Sequence, residues 1–426
     1  MPRGRSSRPV IAEIIAVGSE LLLGGRIDSN SLLITEELAT LGIEVRFKSV
    51  VGDHRTDIAR AVKIALSRVN VVVMTGGLGP TVDDCTREAI AATTGRRLAR
   101  RKEAFEGMRM RLAQWGRVPN TGQLRQALIP SGASVIPNPV GSAPGFWLSS
   151  RSVTVVSLPG VPAEMAAMMR ESVTPLLASV LAHRAQKPVP IRRHLFHTWG
   201  LPEAEVDVKL KGLVSPTTPI DLGLLASPMG VLVSLTTKSH ARATDDLLAT
   251  LSESVRARLK DWIFAEGTDS MEVVIGKLLI DAKRTVALAE SCTGGLIGHR
   301  LTQVPGSSAY LDRGVICYSN EAKIELLGVP AELIERHGAV SAEVAAAMAK
   351  GVRERSGVSI GLSVTGIAGP GGATATKPVG LVYVGLNADH GEVVTREHRF
   401  HGDRSVIKQR SSQAALDLLR RWLLAS

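Results

Sequence analysis

"TVALAESCTGGLIGH", residues 285–299, runs from an apolar stretch into a polar, glycine-rich turn and then into helical spacing. The apolar stretch reads as a buried strand. Gly294 and Gly295 suit a tight exit into "GGLIGHRLTQV" as a helix. A strand that feeds a helix through a short turn is the unit of a parallel sheet. The pattern recurs downstream, where "GVICYSNEAKIELLG" (314–328) reads as strand, turn and helix. It recurs upstream too. "AEIIAV" (12–17), "IEVRFKSV" (43–50), "NVVVMTG" (70–76) and "VTVVSL" (153–158) read as strands, alternating with helices such as "NSLLITEELATLGI" and "DIARAVKIALSR".

From about 270 a second α/β layer begins. "SMEVVIGKLLIDAK", "EVAAAMAKGVRER" and "SVIKQRSSQAALDLLRRWLL" read as helices, and "VSIGLSVTG", "GLVYVGL" and "EVVTREHRF" as strands. Between the layers, "HLFHTWG" and "GVLVSLTTKSH" suit strands and "ATDDLLATLSESVRARLKDWIF" a helix, with "HRAQKPVP" (183–190) as a linker. The expected fold class is α/β: two doubly wound α/β domains, 10–168 and 267–426, joined by a small α+β middle domain, 169–266.

Composition fits this outline. The chain has 426 residues, 44% of them hydrophobic, 41 glycines and 3% aromatics. No apolar run is long enough for a membrane span. The basic lead "MPRGRSSRP" runs into a first strand, so no cleavable signal is expected. Cys85, Cys292 and Cys317 are odd in number and lack metal-ligand spacing, which points to free thiols in a reducing cytoplasm. The net charge of +11 suits anionic partners. Its densest cluster, "GRRLARRKEAF" (95–105), reads as a solvated helix face. Nucleic acid is not expected, because base stacking needs exposed aromatics and this cluster offers only Phe105.

Ser291 falls at the strand-to-helix junction of the opening stretch. A helix start there could hold a phosphate or an oxyanion, or Ser291 and Thr293 could simply cap the helix. Lys323 falls in the first turn of the next helix, with Asn320 as the expected N-cap. There the helix end opposes an ammonium and burial would depress its pKa, leaving an amine able to deprotonate a serine. The alternative is a surface lysine. "SVTGIAGPGG" (363–372), with Gly366 and Gly369, reads as a rigid anion or sugar loop, and Arg404 in "HGDRSVIKQR" as a bidentate anion ligand or a surface ion pair.

These stretches, with "GAVSAEVAAAMA", "KPVGLVYVGL" and "FHGDR", resemble the carboxy-terminal domain of the CinA family over about 270–424. The resemblance implies hydrolysis of nicotinamide mononucleotide to nicotinate mononucleotide and ammonia, without a cofactor. It places the nucleophile on Ser291, the base on Lys323, a nearby tyrosine on Tyr318 and a second serine on Ser308. Amides near Thr293 and Gly294 would then hold the oxyanion, with Gly295 a further substrate contact. The chain departs from the family in "GATATKP" (372–378), which lacks an acidic residue, and at Lys408, where arginine is common.

"MTGGLGPTVDDCT" (74–86) sets a glycine turn, suited to phosphate, before Asp83 and Asp84, which suit a hard divalent cation or a helix cap. "GSELLLG", "TGGLGPTVDD" and "PGVPAEM" each follow a strand, which brings three polar segments to one sheet edge. Residues 11–168 resemble the molybdopterin-binding-like domain of CinA proteins. That implies a divalent metal (Mg, Mn or Co), pyrophosphatase activity on ADP-ribose, and contacts at Ser19, Glu20, Asn30, Gly76, Gly77, Asp83, Asp84 and Glu164. The family often has Asp or Asn at position 19. A homodimer is also expected from the resemblance. The competing reading is a competence-associated protein that binds a pterin, a nucleotide or DNA without turnover.

Overall fold

The structure is a computed structural model that describes residues 10–150, 152–183, 190–237, 244–389, 391 and 393–426. The basic lead before residue 10 and most of the 183–190 linker lie outside the described residues. The chain forms two compact units, one running to Arg192 and including Thr237–Thr244, the other formed by Arg193–Thr236 and Asp245–Ser426.

In the first unit the strands are β1 (Ile11–Val17), β2 (Glu44–Val51), β3 (Val71–Thr75), β4 (Leu98–Arg100), β5 (Leu128–Pro130), β6 (Ser134–Ile136), β7 (Gly145–Ser149) and β8 (Thr154–Leu158). The main sheet has the order β2-β1-β3-β8-β7-β6, and β4 pairs with β5. β2, β1, β3 and β8 are parallel, as the alternating pattern requires. β7 and β6 run antiparallel and turn the edge of the sheet into a mixed one. β6 and β7 are three and five residues long, and between β7 and β8 the Ser150 amide donates to the Val153 carbonyl. Helical periodicity gives no sign of so short a hairpin.

β3 and β8 are buried along their whole length because helices cover both faces of the sheet. Ile15, Val72, Met74 and Phe146 pack on one side. On the other side Ile14, Val73, Leu158 and Met165 pack with Val173, Leu177 and Leu181. Residues 169–183, read from sequence with the middle domain, therefore pack on this first sheet. The apolar stripe Met165, Met168, Met169, Val173, Leu177 continues one helical face and carries the segment across the boundary.

In the second unit β9 (Arg193–Thr198), β10 (Ile220–Ser227), β11 (Gly230–Thr237) and β12 (Ile263–Glu266) form a sheet in the order β10-β11-β9-β12. Phe196, Val206, Val233, Leu235 and Val255 make its core with the helix Asp245–Leu259. The last sheet holds β13 (Val286–Glu290), β14 (Leu311–Ile316), β15 (Ile360–Gly366), β16 (Leu381–Ala388) and β17 (Val393–Arg399) in the order β14-β13-β15-β16-β17. β14, β13 and β15 are parallel, and β16 and β17 are antiparallel additions rather than further parallel strands. Helices Met271–Asp281 and Arg404–Ala425 cover one face and Ala342–Ser356 the other.

β13 is the pivot. Glu290 at its end is in register with Ile316 of β14 and Val364 of β15. Residue 291 thus leaves the sheet between the loops that follow both neighbours. In open α/β sheets this carboxyl edge is where ligands bind.

Candidate active site

The Ser291 amide donates to the Val364 carbonyl at 3.0 Å, which holds the residue at the β13–β15 junction. Its Oγ lies 3.2 Å from Lys323 Nζ, the two residues being 32 positions apart. Lys323 is only 1% exposed. Its Nζ also reaches the carbonyls of Cys317 at 3.0 Å and of Tyr318 and Ser319 at 3.3 Å each. The helix Asn320–Leu327 is capped by Ser319, whose side chain accepts from the Ala322 amide, not by Asn320 as the sequence suggested. The amine therefore faces the carbonyls that precede the helix, not its N–H groups. Burial still pushes Lys323 below the ordinary lysine range. The carbonyls hold the nitrogen in place.

The turn after β13 is organised from inside. Glu290, 1% exposed, accepts from Thr293 Oγ1 at 2.7 Å and from the amides of Gly295, Ile297 and Gly298 at 3.0, 3.1 and 2.8 Å. The Gly294 amide closes the turn on the Ser291 carbonyl at 3.1 Å. Of the amides near Thr293 and Gly294 assigned to the oxyanion by resemblance, that of Gly294 is thus already committed; the Gly295 amide and the Thr293 hydroxyl are committed as well. Gly295 is the N-cap of the helix Leu296–Thr302 with φ of 91°, a conformation glycine adopts without strain. The Cys292 and Thr293 amides donate to no other described residue.

Cys292 is buried, and burial pushes its thiol up to about 12. Cys317 is pushed up to about 11 for the same reason. Neither forms thiolate readily near neutrality. The three cysteines are unpaired.

Ser291 and Lys323 open into a cavity of about 240 Å³, also lined by Tyr318, Asn320, Val340, Gly366, Gly369 and Arg404. Arg404 donates to the Gly369 carbonyl at 2.7 Å and to the Tyr318 hydroxyl at 2.9 Å. It therefore ties the glycine loop to the tyrosine, and is not the carboxylate-paired surface arginine of the alternative reading. No aspartate or glutamate lines this cavity. Lys408 Nζ comes within 3.7 Å of where a Cβ on Gly294 would sit.

The structure does not bring Ser308 to the Ser291 cavity. Ser308 lines a different cavity, of about 450 Å³, with His299, Thr302, Asp312 and Arg313. The parallel register explains this. Ser308 precedes Leu311 at the start of β14, whereas Ser291 follows the far end of β13.

The amino-terminal residues fall into separate groups. Ser19 and Asp53 bond reciprocally: the Ser19 amide donates to the Asp53 carboxylate at 2.8 Å, and the Asp53 amide to Ser19 Oγ at 3.1 Å. Asp53 was missed by the sequence reading, although "VGD" directly follows a strand. Asn30 Nδ2 donates to Thr75 Oγ1 and the Gly160 carbonyl, both at 2.9 Å, and its buried Oδ1 has no partner. These bonds join the segments after β3 and β8, as convergence on one edge requires. Gly76 must be glycine: its φ is 106°, and a Cβ would meet the Val17 oxygen at 2.0 Å. Gly77 sits against Thr86.

Asp84 accepts from the amide and hydroxyl of Thr81 at 2.9 and 2.5 Å, and Asp83 is exposed, its carboxyl held low by Thr81. Glu164 instead accepts from Asn138 at 2.7 Å, and burial raises its carboxyl pKa. Glu20 is exposed. Among the described residues no three His, Cys, Asp or Glu side chains gather as a metal site. The aspartates fit only an ion that brings phosphate or water ligands with it.

One further constellation has the connectivity of a hydrolytic triad. His194 lies 2.8 Å from Ser252 Oγ and 2.7 Å from Glu266. Ser252 is 1% exposed, however, and its hydroxyl donates to the Leu248 carbonyl at 2.7 Å. A nucleophile needs an open face, so this group is structural.

No helix among the described residues is long and apolar enough to cross a membrane. Family models match the chain in three places: the CinA C-terminal domain at 268–423, a probable molybdopterin binding domain at 13–179, and the damage-inducible protein CinA KH domain at 193–265. A CinA-like protein of Geotalea uraniireducens is 40% identical over 412 residues, 96% of this chain and 97% of that protein. A putative competence-damage inducible protein of Halothermothrix orenii is 42% identical over 415 residues, 97% of this chain and 99% of that one. The crystal structure of a competence/damage-inducible protein from Agrobacterium tumefaciens is 40% identical and covers 37% of this chain and 97% of its own, with a TM-score of 0.35. With relatives at this identity matching nearly end to end, the chain belongs to the CinA family.

Proposed function

We propose that the carboxy-terminal domain is an amidohydrolase that converts nicotinamide mononucleotide to nicotinate mononucleotide and ammonia. What carries this reading is the 3.2 Å approach of a buried lysine amine to the Ser291 hydroxyl at the mouth of a cavity. Lys323 takes the hydroxyl proton as Oγ attacks the carboxamide carbon. The Cys292 amide, at the cavity wall and without another donor contact among the described residues, holds the developing oxyanion. Ammonia departs with the proton returned by Lys323, assisted by Tyr318. Water then hydrolyses the ester and restores the serine. Arg404, in a cavity with no acidic side chain among its described lining residues, and Lys408, beside Gly294, suit the substrate phosphate. Ser291→Ala is expected to lower ammonia release about a thousandfold or more, while Cys292→Ala keeps it. Loss on the cysteine change with retention on the serine change reverses the assignment.

We propose further that the amino-terminal edge is a second site for a pyrophosphate nucleotide such as ADP-ribose, with a divalent cation at Asp83 and Asp84. The convergence of Asn30, Thr75 and Gly160 supports this reading. The cation would neutralise phosphate charge, while Asn30 and the turn amides orient the nucleotide. Cleavage of ADP-ribose that survives both EDTA and Asp83→Asn contradicts it.

A further inference from the structure

We infer that Glu290 is a positioning residue for the serine nucleophile: its buried carboxylate occupies the start of the following helix and thereby leaves the Cys292 amide for the oxyanion. The inference rests on the amidohydrolase reading and goes beyond it.

A carboxylate is costly to bury unless its lone pairs are filled. Among the described residues Glu290 has no cationic partner, and its four acceptances come from one hydroxyl and three amides within eight residues. Oε2 takes three of them and Oε1 the fourth, from Gly298. The positive end of the helix Leu296–Thr302 is thus neutralised from within the turn, and it is not offered to substrate. The chain between Glu290 and Gly295 must arch over its own carboxylate. That arch carries Ser291 at its start and the uncommitted Cys292 amide next to it. The main chain of Glu290 adds a second tie, because its carbonyl accepts from the Cys317 amide at 2.9 Å. Cys317 in turn supplies a carbonyl to Lys323. One residue therefore sets both the nucleophile turn and the strand end that holds the base.

Thr293 belongs to the same device. It is fully buried, and its hydroxyl serves Glu290 rather than a ligand. The chemistry of Glu290→Gln is asymmetric. A glutamine keeps one oxygen, so it can satisfy the three Oε2 donors but then turns an NH2 toward the Gly298 amide.

The test uses the full chain and two readouts. One is steady-state deamidation of nicotinamide mononucleotide. The other is labelling of Ser291 by a fluorophosphonate, followed by peptide mass spectrometry, which does not depend on the natural substrate. Glu290→Gln is expected to lower kcat at least tenfold with KM within about twofold, and to slow labelling in parallel. Thr293→Val, which removes one hydroxyl donor, is expected to give a smaller loss, a few-fold, in the same two quantities. A rise in KM with kcat unchanged would make Thr293 a substrate ligand and overturn the inference. So would labelling of Ser291 at the wild-type rate in both variants. If Glu290→Gln does not fold, Thr293→Val alone decides by the same criteria. If the wild type labels on Ser291 but releases no ammonia, the substrate assignment fails while the labelling comparison still judges Glu290.

Discussion

Lys323 carries the chemistry through its burial. Burial disfavours its ammonium, while three backbone carbonyls hold the nitrogen in place. The free amine thus becomes available at a lower pH than for a lysine in water. The rate should therefore rise with pH along a single limb whose midpoint lies below the ordinary lysine value. A pH profile of kcat/KM for ammonia release checks this, and a flat profile from pH 6 to 10 contradicts it. Lys323→Arg should be inactive despite keeping the charge, because guanidinium does not deprotonate in this range. Cys292→Ala should retain activity, since a thiol pushed up to about 12 supplies no thiolate near neutrality. The serine–lysine pair was legible from the sequence because each residue follows a strand in a recognisable motif. The carbonyl cage was not, because which way Lys323 turns depends on Ser319 starting the helix one residue earlier than Asn320 would. Glu290 reads in the sequence as the last apolar-strand position, and nothing local shows that its carboxylate folds forward over the turn.

At the scale of elements, the central parallel strands β1, β3, β8, β13 and β15 were legible because each is a mostly apolar run between turn signals, whereas the edge strands β2 and β14 carry charged residues. β6, β7, β16 and β17 changed the sheets from parallel to mixed, and antiparallel addition leaves no periodic trace. In the middle domain, His194, Ser252 and Glu266 join β9, the helix Asp245–Leu259 and β12. Glu266 also takes a bidentate pair from Arg256, at 2.7 and 2.6 Å. Its carboxyl lies below the ordinary range, chiefly through Arg256 and then His194. The folded protein thus binds this proton less readily than the unfolded chain. The stabilisation is complete above the ordinary glutamate range and is lost as pH falls through the folded value. Glu266→Gln should cost about 1 kcal/mol near neutrality, since the pair is partly exposed, and nothing in strong acid. Denaturant midpoints at the two pH values measure this. Ser252→Ala should leave deamidation unchanged, and a loss there would reinstate the buried triad as chemistry.

At the scale of the whole molecule, the two proposed sites stand on separate sheets with separate cores. Their activities should therefore separate by mutation. Ser291→Ala should spare ADP-ribose cleavage and Asp83→Asn should spare deamidation, each read by assaying both substrates on the full chain. The net charge of +11 calls for one control. Any DNA binding should weaken steeply between 50 and 200 mM salt, by about 10³ or more if six or more phosphates are contacted, without altering deamidation. Most direct of all is the mass of the intact chain, acid-quenched during turnover of nicotinamide mononucleotide and then mapped by peptide. The expected result is a nicotinate mononucleotide ester on Ser291 that is absent from Ser291→Ala and present in Cys292→Ala. An acyl group on Cys292, or turnover by the Ser291→Ala chain at the wild-type rate, would contradict it.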